Sequence, residues 1–297
     1  MSKIFATGAV LAAIFSQVAG HTYVEEWDVG GQTYPGFYLD SKHDPGNKSP
    51  AWWTNQGWGY QPVYGSSINK PDIIAHIDAS PSPYTAEAKA GSDVTVTWHH
   101  TGSCGGGENG WDCSHHGWTA TYLAKCDGDC KDADKESLEF FNIDQHGLID
   151  YPEGTRYSES EDGKPEGYPG FWATDKIFYE DDNKHTFTIP QDIPSGNYVI
   201  RTEVMSVHNN GDISERQFWP QAFNVKVTGG SGTTVPAGKK GTELYSAKDT
   251  LLAWDLYWHT AGKTVPKFTQ SDDIPLVSVA TNSAATKVRR HARDFKN

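Results

Sequence analysis

Four short runs in which β-branched or aromatic side chains alternate with polar ones constrain the fold of this chain most strongly. Successive side chains of a strand point to opposite faces, so a period of two predicts strands with one buried face. Polar connections separate the runs, and two of them, 41–70 and 131–172, are long enough to carry function. The tetrad 194–197, which contains Pro and Gly, predicts a turn before the third run. The pattern predicts an all-β domain, and the runs are 94–98, 186–189, 198–201 and 223–227.

The first twenty residues have the composition of a secretion signal. Lys3 is followed by an apolar run over 4–15 and then by small residues at the end, which is the order of a signal peptide and its cleavage site. The run is too short to cross a bilayer, and no later stretch is apolar enough, so we expect no membrane segment. We expect 1–20 to be removed, 21–268 to form the domain, 269–297 to be a flexible basic tail, and the product to be secreted.

The charge balance bears on the partners of the chain. It carries 38 acidic and 25 basic side chains, a formal net charge of −13, and loss of 1–20 would remove one base and no acid. A surface of this sign repels phosphate backbones, so nucleic acid is an unsuitable partner. It does not exclude a neutral polymer such as a glucan. The 11 Trp and 14 Tyr residues suit a polysaccharide-facing surface, with core packing as the alternative.

The chain has four cysteines, Cys104, Cys113, Cys126 and Cys130. In an exported protein an even count predicts disulfides, and the sequence alone allows three pairings. One of the three joins each cysteine to its neighbour along the chain and closes two local loops. A zinc site with cysteine ligands is the alternative, although an oxidising compartment favours disulfides.

His21 directly follows the predicted cleavage point. An N-terminal histidine offers two nitrogen ligands, the α-amine and a ring nitrogen, and the amine loses its proton at modest cost because its reference pKa is near ~8. One further imidazole would complete a planar set of three nitrogens, which favours Cu(II). The residues alone do not choose among four candidates for that imidazole, which are His99, His100, His115 and His116.

Seven segments carry a resemblance to a known family. They are HTYV at 21–24, PDII at 71–74, SHHG at 114–117, YLAKCDGDC at 122–130, WATDK at 172–176, IP at 189–190 with GNY at 196–198, and Tyr245 with Lys248 and Asp249. In this order they resemble the fungal lytic polysaccharide monooxygenases of auxiliary activity family nine, formerly glycoside hydrolase family 61. The resemblance covers roughly residues 21–268 and implies an immunoglobulin-like antiparallel β-sandwich with long loops.

The resemblance also implies a site. One copper ion would be held by a histidine brace, formed by the amine and ring of His21 together with His115. His208 and Gln217 would orient and protonate oxygen species, and Trp219 would occupy the axial position beside the metal. The implied activity is oxidative cleavage of a polysaccharide, either cellulose or a hemicellulose. The protein would act as a secreted monomer and would receive electrons from an external donor. Trp52, Trp53, Trp58 and Tyr60 are candidate glucan contacts, with a core role as the alternative.

The chain departs from the family pattern at several positions. The family has Tyr where Trp219 stands, and an indole has no oxygen to approach a metal. A family disulfide is replaced by Ala75 and Ala222, Thr202 stands where a His is usual, and 105–112 is a Gly-rich insertion. Two alternatives therefore stay open: a non-catalytic copper-binding protein that keeps the brace, and a metal-free protein that binds carbohydrate or cell wall.

Overall fold

Strands make up most of the regular structure of this chain. The computed structural model describes residues 21–36, 48–54, 61–101, 103–104, 108–109, 115–150, 170–208, 212–249, 251–254 and 256, with the backbone alone for His21, Thr101, Ser103, Cys104, Glu108, Asn109 and Asp150. The strands are β1 (His21–Val29), β2 (Gln32–Pro35), β3 (Val63–Tyr64), β4 (Ala86–Lys89), β5 (Asp93–Thr101), β6 (Ser103–Cys104), β7 (Glu108–Asn109), β8 (Gly117–Lys125), β9 (Glu139–His146), β10 (Leu148–Asp150), β11 (Phe171–Trp172), β12 (Lys184–Thr188), β13 (Pro194–Ser206), β14 (Gln217–Ser231) and β15 (Lys239–Lys240). The helices are α1 (Asp72–Ala75) and α2 (Ala173–Asp175), and α2 continues into a π-helical turn, Lys176–Glu180.

Two sheets face each other. The smaller has the strand order β2, β1, β5, β12, and the larger has the order β15, β9, β8, β13, β14. The outer edge of β14 pairs with β3 near its start and, in parallel, with β4 near its end. All other pairs are antiparallel within the described strands. This is the immunoglobulin-like sandwich that the sequence predicts.

The inner core fills the space between the sheets. Tyr198 and Ile200 of β13 point into it, whereas Val199 between them packs on the outer face of the larger sheet. Trp27 of the smaller sheet stacks on Phe223 of the larger sheet, with ring centroids 4.7 Å apart. Truncating a buried aromatic side chain to Ala costs roughly 3–5 kcal/mol, so such pairs contribute strongly to the stability of the sandwich.

An outer core covers the other face of the larger sheet, and a buried ion pair fastens α1 to it. Arg201 binds Glu203 through two hydrogen bonds of 2.7 and 2.8 Å, and it donates to the carbonyl oxygens of Ile73 and Ile74 at 2.9 and 2.8 Å. Tyr245 donates to the same carboxylate. Burial raises the pKa of Glu203 even with Arg201 beside it.

Ala75 and Ala222 lie in this outer core and are 3% and 4% exposed. Two methyl groups therefore occupy positions where the resembled family has a disulfide. Ala222 is the ladder partner of Arg201, so the hydrogen bonds from Arg201 to α1 lie next to the missing bridge. These hydrogen bonds connect α1 to the larger sheet where the resembled family uses a disulfide.

One disulfide is formed at the end of β8. Cys126 and Cys130 are bonded, which excludes a zinc site on these two residues and excludes the two pairings that would separate them. Cys113 and the side chain of Cys104 lie outside the described residues. Their pairing with each other stays a prediction.

The strand predictions are confirmed in part. Runs 94–98, 198–201 and 223–227 lie inside β5, β13 and β14, and 186–188 lie in β12. The turn predicted at 194–197 is wrong, because these residues belong to β13, where a register shift between Pro194 and Gly196 accommodates them. The long connection predicted over 131–172 is also wrong in part, because it contains β9.

The structure tests some of the expectations about the aromatic side chains and the membrane segment, and others concern residues that it does not describe. Trp52 is buried and its Nε1 donates to Asn224 Oδ1 at 2.7 Å, so the core alternative holds for this residue. Trp53 is half-buried, and Trp58 and Tyr60 lie outside the described residues, as do 1–20 and 269–297. Over the part of the chain that is described, no helix has the length and apolarity needed to cross a membrane.

Candidate metal centre

The ends of three neighbouring strands meet at one end of the larger sheet. β13 runs antiparallel to both β8 and β14, and Ser206, its last residue, pairs with Gly117 on one side and Gln217 on the other. The first residues of β8 and β14 therefore lie beside the end of β13. His115 precedes β8 by two residues, and His208 follows β13 by two.

The start of β1 lies at the same end of the sandwich. Trp27 of β1 stacks on Phe223 of β14. Gly30 lies three residues after Trp27, and its backbone is so close to Glu87 that a Cβ atom on Gly30 would come within 2.1 Å of the Glu87 carbonyl oxygen. Glu87 in turn pairs with Lys226, which lies three residues after Phe223.

The two strands thus run in the same direction on facing sheets. His21 and Gln217 each precede the stacked aromatic pair by six residues, which puts the His21 backbone at the end where Gln217 lies. The ladder to β5 fixes that backbone, because His21 pairs with Thr101 and the Thr22 hydroxyl donates to the carbonyl of His99 at 2.7 Å. The side chain of His21 lies outside the described part.

The backbone around His115 is held by α2. The Gly117 amide donates to Thr174 Oγ1 at 2.9 Å, and that hydroxyl donates to the His115 carbonyl at 3.2 Å. Glycine is required at 117, because a Cβ atom there would lie 1.7 Å from the Met205 carbonyl oxygen. The backbone that carries the buried side chain of His115 is therefore fixed by Thr174 and by the close packing at Gly117.

The four candidate histidines differ in their surroundings. His116 Nδ1 lies 2.9 Å from Asp175 Oδ2, both side chains are buried, and the same carboxylate accepts the Trp172 amide at 2.8 Å. This contact gives His116 a role in the fold. His99 is partly exposed and lies 3.8 Å from Glu25.

The ring of His100, the fourth candidate, meets Phe178 edge-on, with centroids 5.4 Å apart. The ring of His115 stacks on His208, with centroids 3.9 Å apart and planes tilted by 22°. His115 is thus the candidate that the fold brings to a residue of the predicted oxygen-handling pair.

His208 and Gln217 lie together beside this stack. Ser206 Oγ is 2.6 Å from His208 Nδ1, and Gln217 is the ladder partner of Ser206. Gln217 is 5% exposed, and its Oε1 accepts no hydrogen bond from the part of the chain that the structure describes. A buried acceptor without a donor is costly, so a water or another hydrogen-bond donor at Gln217 Oε1 would be stabilising.

Trp219 packs beside His115. It is fully buried in the inner core, and its ring centroid lies 6.1 Å from that of His115 at a tilt of 45°. The indole puts an apolar surface next to the histidine, where the family's Tyr would bring an oxygen.

The imidazoles of His115 and His208 bring ring nitrogens to this end of the sandwich. Among the described residues, no group of three His, Cys, Asp or Glu side chains is arranged to hold a metal, so a metal bound by His115 needs further ligands. The backbone of His21 runs to the same end, and with residues 1–20 removed its amine and ring, together with His115, would form the set of nitrogens that suits Cu(II). With the open acceptor of Gln217, these residues fit a copper site.

The sequence did not identify the residues that hold the histidines in place, which are Thr174, Asp175 and Ser206. Thr174 and Asp175 lie in the quoted segment 172–176, yet nothing in the segment assigns them to His115 and His116. Ser206 stands two residues before His208, a spacing that would put both side chains on one face of a strand. That spacing is the sequence signal from which the contact between Ser206 and His208 could have been predicted.

The fold and the site define an immunoglobulin-like β-sandwich with histidines gathered at one end, and comparison with known proteins makes this class specific. The model of Auxiliary Activity family 9, formerly GH61, matches residues 21–264. The AA9 family lytic polysaccharide monooxygenase AA17 of Aspergillus oryzae is 38% identical over 264 residues, which cover 88% of this chain and 94% of that protein. The chain therefore belongs to auxiliary activity family 9, as the resemblance predicts.

Two further relatives agree. The AA9 family lytic polysaccharide monooxygenase I of Emericella nidulans is 36% identical over 269 residues, which cover 89% of this chain and 66% of that longer protein. The solved extended catalytic domain of H. jecorina LPMO9A superposes with a TM-score of 0.67 at 28% identity and covers 88% of this chain and 92% of that one.

Proposed function

We propose that this protein is a secreted, copper-dependent lytic polysaccharide monooxygenase that oxidatively cleaves glycosidic bonds in cellulose or related glucans. Family membership supports the class of activity. The observation that carries the proposal for this chain is the stack of His115 on His208, with the open acceptor of Gln217 beside it. An external donor supplies the electrons for the reaction, and the protein acts as a monomer.

The metal ligands in this proposal are the amine and ring of His21 together with His115. The amine becomes available when residues 1–20 are removed during export, and that removal is part of the proposal. Bound copper supplies one-electron chemistry that activates oxygen or peroxide. Thr174 and the ladder between β1 and β5 hold the two ligand-bearing segments in place.

Ser206 sets the proton on His208. If the Ser206 hydroxyl donates to Nδ1, across the 2.6 Å contact, the neutral ring carries its proton on Nε2. Nε2 then donates a hydrogen bond toward an oxygen species beside His115, and Gln217 Oε1 accepts one from the same species. Two groups with opposite hydrogen-bonding roles orient a small protonated oxygen ligand.

A second candidate function is copper binding without turnover, and Trp219 favours it. A buried indole replaces the family's phenol beside His115. Trp219→Tyr separates the two functions. If the protein is an enzyme, we expect product formation to change by less than about tenfold, the lower end of effects for residues around a metal ligand. Products that appear only in the variant would establish the binding function for the natural chain.

Product analysis tests the proposed function directly. Copper-loaded protein that begins at His21 is incubated with cellulose, a reductant and peroxide, and soluble products are separated by anion-exchange chromatography and mass spectrometry. We expect oxidised oligosaccharides that disappear in His115→Ala and persist in the matched variant His99→Ala. Copper binding without oxidised products from cellulose or any hemicellulose would refute the monooxygenase proposal. Protein purified from a fungal culture medium should begin at His21 by mass spectrometry.

A further inference from the structure

Arg216 is a buried arginine that donates hydrogen bonds to three main-chain carbonyls. It is 1% exposed. Its Nε donates to the Leu252 carbonyl at 2.9 Å, one Nη donates to the Trp254 carbonyl at 2.6 Å, and the other donates to the Val207 carbonyl. The planar guanidinium therefore spans three carbonyl oxygens from two segments that are far apart in sequence.

These contacts lie next to both residues of the oxygen-handling pair. Arg216 directly precedes Gln217, and Val207 directly precedes His208. The last ladder pair between β13 and β14 is Ser206 with Gln217. The bond from Arg216 to Val207 thus continues the link between the two strands past the end of the ladder, where no further ladder pair fixes His208.

The backbone of Arg216 is held as firmly as its side chain. Its carbonyl accepts the Gly65 amide at 2.7 Å, and a Cβ atom on Gly65 would come within 1.8 Å of the Ile213 carbonyl oxygen. On the other side, Leu252 and Trp254 are buried in the outer core. A residue fixed on both sides transmits its position to its neighbour Gln217.

We propose that Arg216 is a positioning residue that keeps His208 and Gln217 in place beside His115. This role rests on the proposed function, because those two side chains handle the oxygen species in it. Arginine suits the task, since its rigid fork presents donors in several directions at once. A lysine carries the same charge on a single nitrogen and cannot reach three carbonyl oxygens in the same geometry.

Arg201 provides a matched control in the same sheet. It is also fully buried and also donates to two main-chain carbonyls, but those belong to Ile73 and Ile74 in α1. Arg201→Lys and Arg216→Lys therefore both remove buried hydrogen bonds to main-chain carbonyls at different places, and Arg201→Lys also disturbs the ion pair with Glu203. A purely structural role of Arg216 predicts the same consequences for both variants.

The first test uses metal-free protein. Amide hydrogen exchange of segments 206–208 and 217–219 is expected to accelerate about tenfold or more in Arg216→Lys, because these segments open locally, and to stay unchanged in Arg201→Lys. The ¹⁵N shifts of the His208 ring, at one fixed pH, should change in the first variant alone. Equal exchange and unchanged ring shifts in both variants would overturn the proposal.

The second test uses the copper-loaded protein. Misplacement of a catalytic group by about 1 Å costs on the order of a hundredfold in rate, so we expect Arg216→Lys to lose at least about tenfold in oxidised product while copper affinity is kept. Arg216→Gln serves as a second variant. If neither Arg216 variant folds while Arg201→Lys does, the proposal is overturned in favour of a stability role.

The outcomes separate this inference from the proposed function. A wild-type protein that yields no oxidised product refutes the proposed function, whatever the variants do. An active wild type with Arg216→Lys as active as Arg201→Lys refutes the positioning role alone.

Discussion

Two groups among the described histidines differ in what lies against their rings. His116 contacts the carboxylate of Asp175 in the fold around α2. His115 and His208 instead contact each other, and His208 also contacts the hydroxyl of Ser206. A carboxylate fixes the ring of a histidine and occupies one of its two nitrogens, so only the other nitrogen could reach a metal. His116 is held in this way inside the fold, whereas His115 is held by its stack on His208.

A second carboxylate-bound cluster joins the two sheets. Asp144 of β9 contacts His146 at 3.1 Å and His185 of β12 at 2.9 Å. Burial raises the pKa of Asp144, but the hydrogen bonds from the two histidines outweigh it and hold that pKa below its ordinary range. The hydrogen bond to Asp144 raises the pKa of His146 against the opposing effect of burial. The comparison teaches that the carboxylate-bound histidines stabilise this fold, whereas His115 and His208 meet at the proposed metal site.

The largest expected effect tests the first group. His116→Ala leaves the Asp175 carboxylate buried without its partner, so the free energy of unfolding should fall by about 3–5 kcal/mol. Urea denaturation of metal-free protein measures it. His115→Ala is the matched change one residue away and should cost clearly less. Equal losses would remove the distinction between the two neighbours.

The next effect tests the second group. His208→Ala removes the donor that orients the oxygen species and should lower the rate of oxidised product formation by about a hundredfold, within the range for general acid–base groups. Copper affinity should be unchanged. His146→Ala is the control from the carboxylate-bound cluster and should keep full activity. A His208→Ala protein with wild-type rates would show that this histidine has no part in the reaction.

The smallest effect is a pH-dependent one. Asp144→Asn should lower the free energy of unfolding by about 1–2 kcal/mol near pH 5–6. The lowered pKa of Asp144 gives stability that is present above about pH 4 and is lost as the pH falls through the folded value. The raised pKa of His146 gives stability that is present below about pH 6.5 and is lost as the pH rises through its folded value.

The difference between wild type and Asp144→Asn should therefore be largest between about pH 4 and 6.5 and shrink on both sides. Solvent screens the partly exposed His146, so most of the effect should follow Asp144. Denaturation at pH 3, 5.5 and 8 measures the profile. A difference that is constant across these pH values would contradict the assigned contacts.

Strands in which apolar and polar side chains alternate could be predicted from the sequence, whereas strands that are buried on both faces could not. The run 223–227 alternates along β14 and was found. Strand β9 was missed because Phe140 points into the outer core and Phe141 into the inner core. With both faces buried, adjacent positions are apolar, and the period of two disappears.

The same limit applies to the site. From the residues alone, His115 and His116 are equivalent, and only the family resemblance separates them. The structure separates them physically, because Asp175 is 59 residues away in sequence and reaches His116 only through the fold. Arg216 shows this most clearly, since two of its acceptors lie 36 and 38 residues further along the chain.

Copper titration of protein that begins at His21, followed by electron paramagnetic resonance, tests the division between the two groups of histidines most directly. We expect one copper ion per chain with an axial Cu(II) spectrum showing nitrogen ligands. His115→Ala should weaken binding by at least about a hundredfold, the upper range even for groups around a metal ligand, whereas His185→Ala should leave affinity and spectrum unchanged. Binding that survives His115→Ala, or that is lost in His185→Ala, would contradict the assignment.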